Sequence, residues 1–146
     1  MTALLLAIDV TGKPQTQGST KAYVRGGHAV ITSANTNLRP WRDAVRFAAA
    51  DSLHPSHVPY EGPVEVRIRF RMRMPASAPK KRRTWPIGAR SGDLDKLARA
   101  VLDALTDAGI WRDDSQVIRL HAGKDYTDAA PGAYITVYTI DEEATA

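Results

Sequence analysis

Six aspartates crowd one short stretch of this chain: Asp93, Asp95, Asp103, Asp107, Asp113 and Asp114. Asp93-Leu94-Asp95 opens an amphipathic run, and the Asp113-Asp114 pair follows its other end. Helix dipoles and N-terminal capping favour acids at a helix mouth, which is the ordinary explanation for one of the first pair. Neither effect explains the second pair. A helix that turns into a returning strand can bring both groups together. Carboxylates converging without basic partners repel by roughly several kcal/mol at low effective dielectric. Such a cluster therefore calls for a cation, and hard oxygen ligands suit Mg²⁺ or Mn²⁺.

A basic block stands directly before the acids. Arg67, Arg69, Arg71, Arg73, Lys80, Lys81, Arg82, Arg83 and Arg90 are opposed between Val64 and Arg90 by Glu65 alone. Over Val64 to Met74 apolar residues alternate strictly with Glu65 and the first four arginines, which predicts a strand with one core face and one arginine face. Same-face side chains on a strand repeat about every 6.6–6.8 Å, near the roughly 7 Å between phosphates along a nucleic-acid strand. The competing reading is a solvated face with cross-strand acidic partners. Residues 75–92 read as a loop carrying Lys80 to Arg83 and Trp85. That charge run is either a solvated loop or a DNA contact, and Trp85 either stacks on a base or anchors the loop.

These groups need elements to hold them. Leu94, Leu97, Ala98, Val101, Leu102 and Leu105 recur at helical spacing, which predicts a helix over Asp95–Ala108 ended by Gly109. Ile110 to Ser115 is a turn, followed by strands over Gln116–His121 and Ala133–Ile140. Upstream, Leu4–Val10 is a strand. Ala22–Ile31 is a hairpin around Gly26-Gly27, since paired glycines supply the positive φ of a tight turn. A first helix runs from an Asn37 N-cap to about Ser52. The class is α+β: a mixed or antiparallel sheet packed with two helices.

The bulk numbers fit that reading. The chain has 146 residues, 43% of them hydrophobic, no cysteine and a net charge of +4. This suits one domain over 1–146, with a frayed tail over 141–146, and excludes a disulfide scaffold. The apolar run Ala3–Ile8 is too short for a secretory core or a membrane span, so a soluble cytoplasmic protein is expected. His28, His54, His57 and His121 show no metal-ligand spacing, and His54 and His57 are expected to face solvent. No glycine-rich phosphate loop, serine triad or cysteine nucleophile stands out.

Gly92-Asp93-Leu94-Asp95-Lys96-Leu97, the helix through Leu102-Asp103-Ala104-Leu105, and Asp113-Asp114-Ser115-Gln116-Val117 together resemble the RusA family of Holliday junction resolvases. Its signature is D-x-D-N-L-x-K, a helix ending in D-A-L, then D-D-x-Q-V. The resemblance implies a RusA-like fold and a crossover junction endodeoxyribonuclease acting in DNA recombination and repair. It implies Asp93, Asp95 and Asp114 as catalytic metal ligands, with Asp113 orienting the turn. The cofactor implied is Mg²⁺, with Mn²⁺ as a substitute. Water would attack a phosphodiester in line, leaving 5′-phosphate and 3′-hydroxyl ends. Two positions depart from the signature: Lys96 replaces the asparagine and Arg99 the lysine. Arg99 can clamp a phosphate but cannot transfer a proton. DNA contacts are expected from Arg67, Arg69, Arg71, Arg73, Lys80, Lys81, Arg82, Arg83, Lys96 and Lys124. The partners implied are a four-way DNA junction and a second copy of the chain, giving symmetric paired nicks in a bacterial cytosol or a phage-infected cell. The rival readings are a non-catalytic DNA-binding module and a less selective nuclease for flaps or RNA.

Overall fold

The computed structural model describes residues 2–18, 20–33 and 35–141. In chain order these form β1 (Ala3–Thr11), β2 (Thr20–Arg25), β3 (His28–Ser33), α1 (Leu38–Ser52), β4 (Val64–Arg73), α2 (Leu94–Ala108), β5 (Val117–Thr127) and β6 (Gly132–Thr139). Single 3₁₀ turns stand before α2 (Ala89–Ser91) and before β5 (Asp114–Gln116). The tail expected to fray lies, from residue 142 on, outside the described residues.

The alternation in β4 does what its period dictates. Val64, Val66, Ile68, Phe70 and Met72 are buried, while Glu65 and the four arginines take the other face. The strand order is β1-β6-β4-β5, with β4 and β5 parallel and the other pairs antiparallel. A parallel pair needs a crossover, and residues 74–116, with α2 inside them, supply it. Both helices cover one face of this mixed sheet, closing a core that includes Trp41, Val45, Leu97, Val101 and Leu105. The fold class is α+β, as the residue pattern implies. No helix among the described residues is long and apolar enough to cross a membrane.

Local signals mostly land where their chemistry puts them. Gly26 and Gly27 have φ of 59° and 80° at the hairpin turn, and Gly109 ends α2 at φ 81°. Two details differ. Asn37 sits at the N-cap of α1 but makes no side-chain cap hydrogen bond. The side chain of Asn35 accepts from the Asn37 N–H at 3.2 Å instead. Strand β5 runs six residues past His121, because Ala122 to Thr127 pair in register with Ile68 to Arg73. A glycine and two charged residues hid that extension.

Candidate active site

Helix α2 buries Leu97, Ala98, Ala100, Val101, Ala104 and Leu105. Its opposite crest carries Asp95, Arg99 and Asp103, each one turn after the last. Asp95 and Arg99 are exposed and Asp103 is half-buried. Asp93 occupies the N-cap position, yet its side chain makes no cap hydrogen bond. Capping therefore does not consume its carboxylate, which lies 3.8 Å from the Lys96 ammonium.

The segment after α2 is sewn down tightly. The indole N–H of buried Trp111 donates to Thr106 Oγ1 at 2.8 Å. The Tyr60 N–H donates to the Ile110 carbonyl at 3.0 Å. The His57 ring nitrogen lies 3.1 Å from the Gly109 carbonyl, so this half-buried histidine finishes α2 rather than facing solvent. Gln116 then explains one letter of the D-D-x-Q-V motif. Its amide oxygen accepts from the N–H groups of Arg112 and Asp113, both at 2.9 Å. Its amide nitrogen donates to the carbonyls of Tyr60 at 2.7 Å and Gly62 at 2.9 Å. A glutamine reaching back to the N-cap is one half of a capping box.

The two acids of the second pair play different parts. Asp113 accepts from the Ser115 hydroxyl at 2.7 Å, and that bond, with nearby backbone N–H groups, holds its carboxyl below the usual range. It organises the turn. Asp114 is half-buried; desolvation first, then the charges of Asp113 and Asp103, push its carboxyl above the usual range. No basic side chain pairs with Asp114 among the described residues.

Asp103 is the acid that motif reasoning passed over. The side-chain amide of Gln17 donates to it, and the Gln17 N–H donates to the Lys96 carbonyl at 3.1 Å. The stretch after β1 is thereby laid along the crest of α2. The D-A-L letters contained Asp103, but nothing local shows that it meets Asp114. Asp95 and Asp93 are not among the groups that shift Asp114. Among the described residues no three acidic or histidine side chains are grouped closely enough to hold an ion by themselves.

Relief of the Asp103–Asp114 repulsion should register in stability. A carboxyl whose folded pKa exceeds its unfolded value of about 3.9 favours the fold while protonated. The penalty sets in as pH rises through that unfolded value and is complete above the folded one. At neutral pH and without metal, Asp114→Asn and Asp103→Asn should each raise Tm, by up to about 3 °C. The double variant should gain less than the sum, because both remove the same contact. A lowered Tm in both single variants would contradict this.

The basic residues divide. Those of β4 sit on the sheet face turned away from the helices, opposite the crest of α2. Arg71 is bound to Asp9 at 2.6 Å. Arg67 pairs with Glu65 at 3.0 Å and lies over the Tyr138 ring at 5.1 Å. Arg69 and Arg73 have no ion-pair partner among the described residues. Lys80, Lys81 and Arg82 are exposed on the loop before α2, and Arg83 bridges to Asp125 at 2.8 Å while covering the Trp85 ring at 5.0 Å. Trp85 is 52% exposed, whereas Pro86 beside it is buried. Lys124 is occupied internally, donating to Ser91 Oγ at 2.9 Å and to the Gly92 carbonyl at 2.7 Å. It fixes the residues directly before Asp93.

Residues 11–138 match the family described as Endodeoxyribonuclease RusA. This chain belongs to that family. Over 56 residues it is 43% identical to proteins named crossover junction endodeoxyribonuclease RusA from Escherichia coli (strain K12), Shigella sonnei (strain Ss046) and Enterobacteria phage 82. The matched stretch covers 38% of this chain and 35% of those relatives, about a third of their length. The family match takes in both helices, both aspartate pairs and every strand except β1, of which it includes only Thr11.

Proposed function

We propose that this chain is a Mg²⁺-dependent endodeoxyribonuclease that resolves four-way DNA junctions by paired symmetric nicks, in DNA recombination and repair. The observation that carries the reading is Asp114: a half-buried carboxylate close enough to Asp103 to feel its charge, with no basic side chain paired to it among the described residues. It closes the turn that follows a helix whose mouth bears Asp93 and Asp95.

The donor set fits the ion in kind, being all carboxylate oxygen. Mg²⁺ is commonly bound through one or two carboxylates plus water and substrate phosphate, so a closed protein cage is not required. Asp93, Asp95 and Asp114 would hold it, with Mn²⁺ as a substitute, and Asp103 would support Asp114. When bound, the ion supplies Lewis-acid stabilisation of the leaving oxygen and a more acidic water. The chain's own residues do the rest. Arg99, on the crest between Asp95 and Asp103, offsets charge on the phosphate being attacked. Asp113 and Gln116 hold Asp114 in place. Lys124 sets the entry to α2. Lys96 and the exposed loop cations Lys80, Lys81 and Arg82 take the DNA arm next to the acids.

Arg69 and Arg73 face the opposite way and suit a second arm of a branched substrate. Changing both to Ala should lower the salt slope of junction binding by roughly two phosphate contacts, about 0.9 each. Changing Arg67 and Arg71, already engaged by acids, should alter it less. Equal slopes for the two double variants would reduce the whole arginine face to a solvated one.

The functional unit is a homodimer in the cytoplasm, since two related sites on a twofold axis give the symmetry of the nicks. Cleavage of a four-way junction, a flap, a linear duplex and an RNA hairpin, compared in Mg²⁺, tests the substrate class. The junction should be cut fastest. Flap or RNA cut equally well would assign a less selective nuclease.

A further inference from the structure

The end of the sheet beside the mouth of α2 holds a cleft of about 540 Å³ that takes no part in the proposed metal chemistry, although Arg73 at its edge is one of the two β4 arginines left for DNA. Its floor is apolar: buried Met72, Met74 just beyond the end of β4, and Tyr126, the register partner of Met72 on β5. Its rim is basic, with Lys13, Arg73 and Arg90, and among the described residues no acidic one lines it. Ser91 also lines it, two residues before Asp93 and tied to Lys124 at 2.9 Å. The cleft and the acid-bearing helix therefore share one fixed mount.

We infer that this cleft takes a single unstacked nucleotide of the DNA substrate, its base against Met72, Met74 and Tyr126 and its phosphate at Lys13, Arg73 and Arg90. The volume lies in the range of pockets that enclose small organic ligands, roughly 300–1,000 Å³. Methionine sulfur and an aromatic ring are soft surfaces for a nucleobase, whose every face can stack. An uncharged apolar ligand would leave three cations without a purpose; an anion alone would leave the apolar floor without one. A nucleotide uses both. Base steps open readily at a branch point, where stacking is already interrupted, so the cost of unstacking is lowest there. The inference rests on DNA being the substrate, but not on cleavage.

The chain contains three methionines, and two of them, Met72 and Met74, are in the cleft. Methionine-methyl NMR of the full chain in metal-free buffer therefore reads the site directly. A short single-stranded oligodeoxynucleotide, or a four-way junction, should shift the Met72 and Met74 signals by ring current and leave Met1 in place. Inorganic phosphate should shift neither. Met74→Glu, at a 42% exposed position outside the buried core, should weaken oligonucleotide binding about tenfold. DNA binding that leaves both cleft methyls unmoved would overturn the inference, and so would inorganic phosphate reproducing the shifts. Shifts with DNA but no nicking in Mg²⁺ would sink the nuclease reading and leave the cleft standing. Nicking without shifts would do the reverse.

Discussion

Asp114→Asn should lower the nicking rate on a four-way junction by about 10³-fold or more while leaving junction affinity within about threefold. Asparagine keeps the shape and one oxygen but loses the charge that a hard cation needs. The same substitution is expected to raise Tm without metal, so a loss of activity cannot be ascribed to unfolding. Asp95→Asn should match it in activity, since Asp95 is exposed on the crest with no ion-pair partner in the described structure. Mg²⁺ should raise the Tm of the unsubstituted chain, as any ligand of the native state does, and should raise it less in either variant. Asp113→Asn provides the contrast. Its carboxylate is engaged by Ser115 and the turn backbone, so it should lose activity only as far as the turn loosens, about tenfold. Activity retained in Asp114→Asn would remove that residue from the metal site. Binding lost in both Asn variants would make the acids structural.

Arg99→Ala should cost about 10²-fold in the single-turnover rate, the order expected when one preorganised donor to a reacting oxyanion is removed. Arg99 stands where the family signature has lysine, and the two cations differ in what they can do. A guanidinium stays charged and offers a planar fork, whereas an ammonium is a point charge that can give up a proton. Its place on the crest, one turn from Asp95 and one turn from Asp103, suits a phosphate clamp. Arg99→Lys should then recover most of the rate, within about tenfold, with an unchanged pH profile. A Lys variant that is faster than the natural chain, with a new basic limb in its pH profile, would point to proton transfer and against the clamp. An Ala variant as active as the natural chain would remove Arg99 from the site.

The sequence made some of this legible for definite physical reasons. Period-two alternation located β4 to within one residue, because one of its faces is wholly core. The apolar spacing and Gly109 located α2 equally well. The D-x-D and D-D pairs are plain in the sequence, but Asp93 and Asp95 are not among the groups that act on Asp114. What stayed hidden were relations between residues distant in the chain. Nothing near Asp103 reveals that Asp114 will meet it or that Gln17 will donate to it. Gln116 reads locally as a cap but also ties the turn to Tyr60 and Gly62, more than fifty residues away. The arginines of β4 share one face, as a period of two requires, yet strand periodicity cannot say which side of the sheet the helices cover. Their placement across the sheet from α2 follows only from the packing. Lys124 similarly shows its charge in the sequence, but not that Ser91 and Gly92 absorb it.

We propose that the two aspartate pairs make a metal-dependent DNA-cutting site. The most direct measurement is incubation of the purified full chain with an end-labelled four-way junction, with and without Mg²⁺. Paired nicks at symmetric positions in opposing strands, with 5′-phosphate and 3′-hydroxyl ends, are expected only when the metal is present. A junction that is bound but left intact in fresh Mg²⁺ and in Mn²⁺ would contradict it.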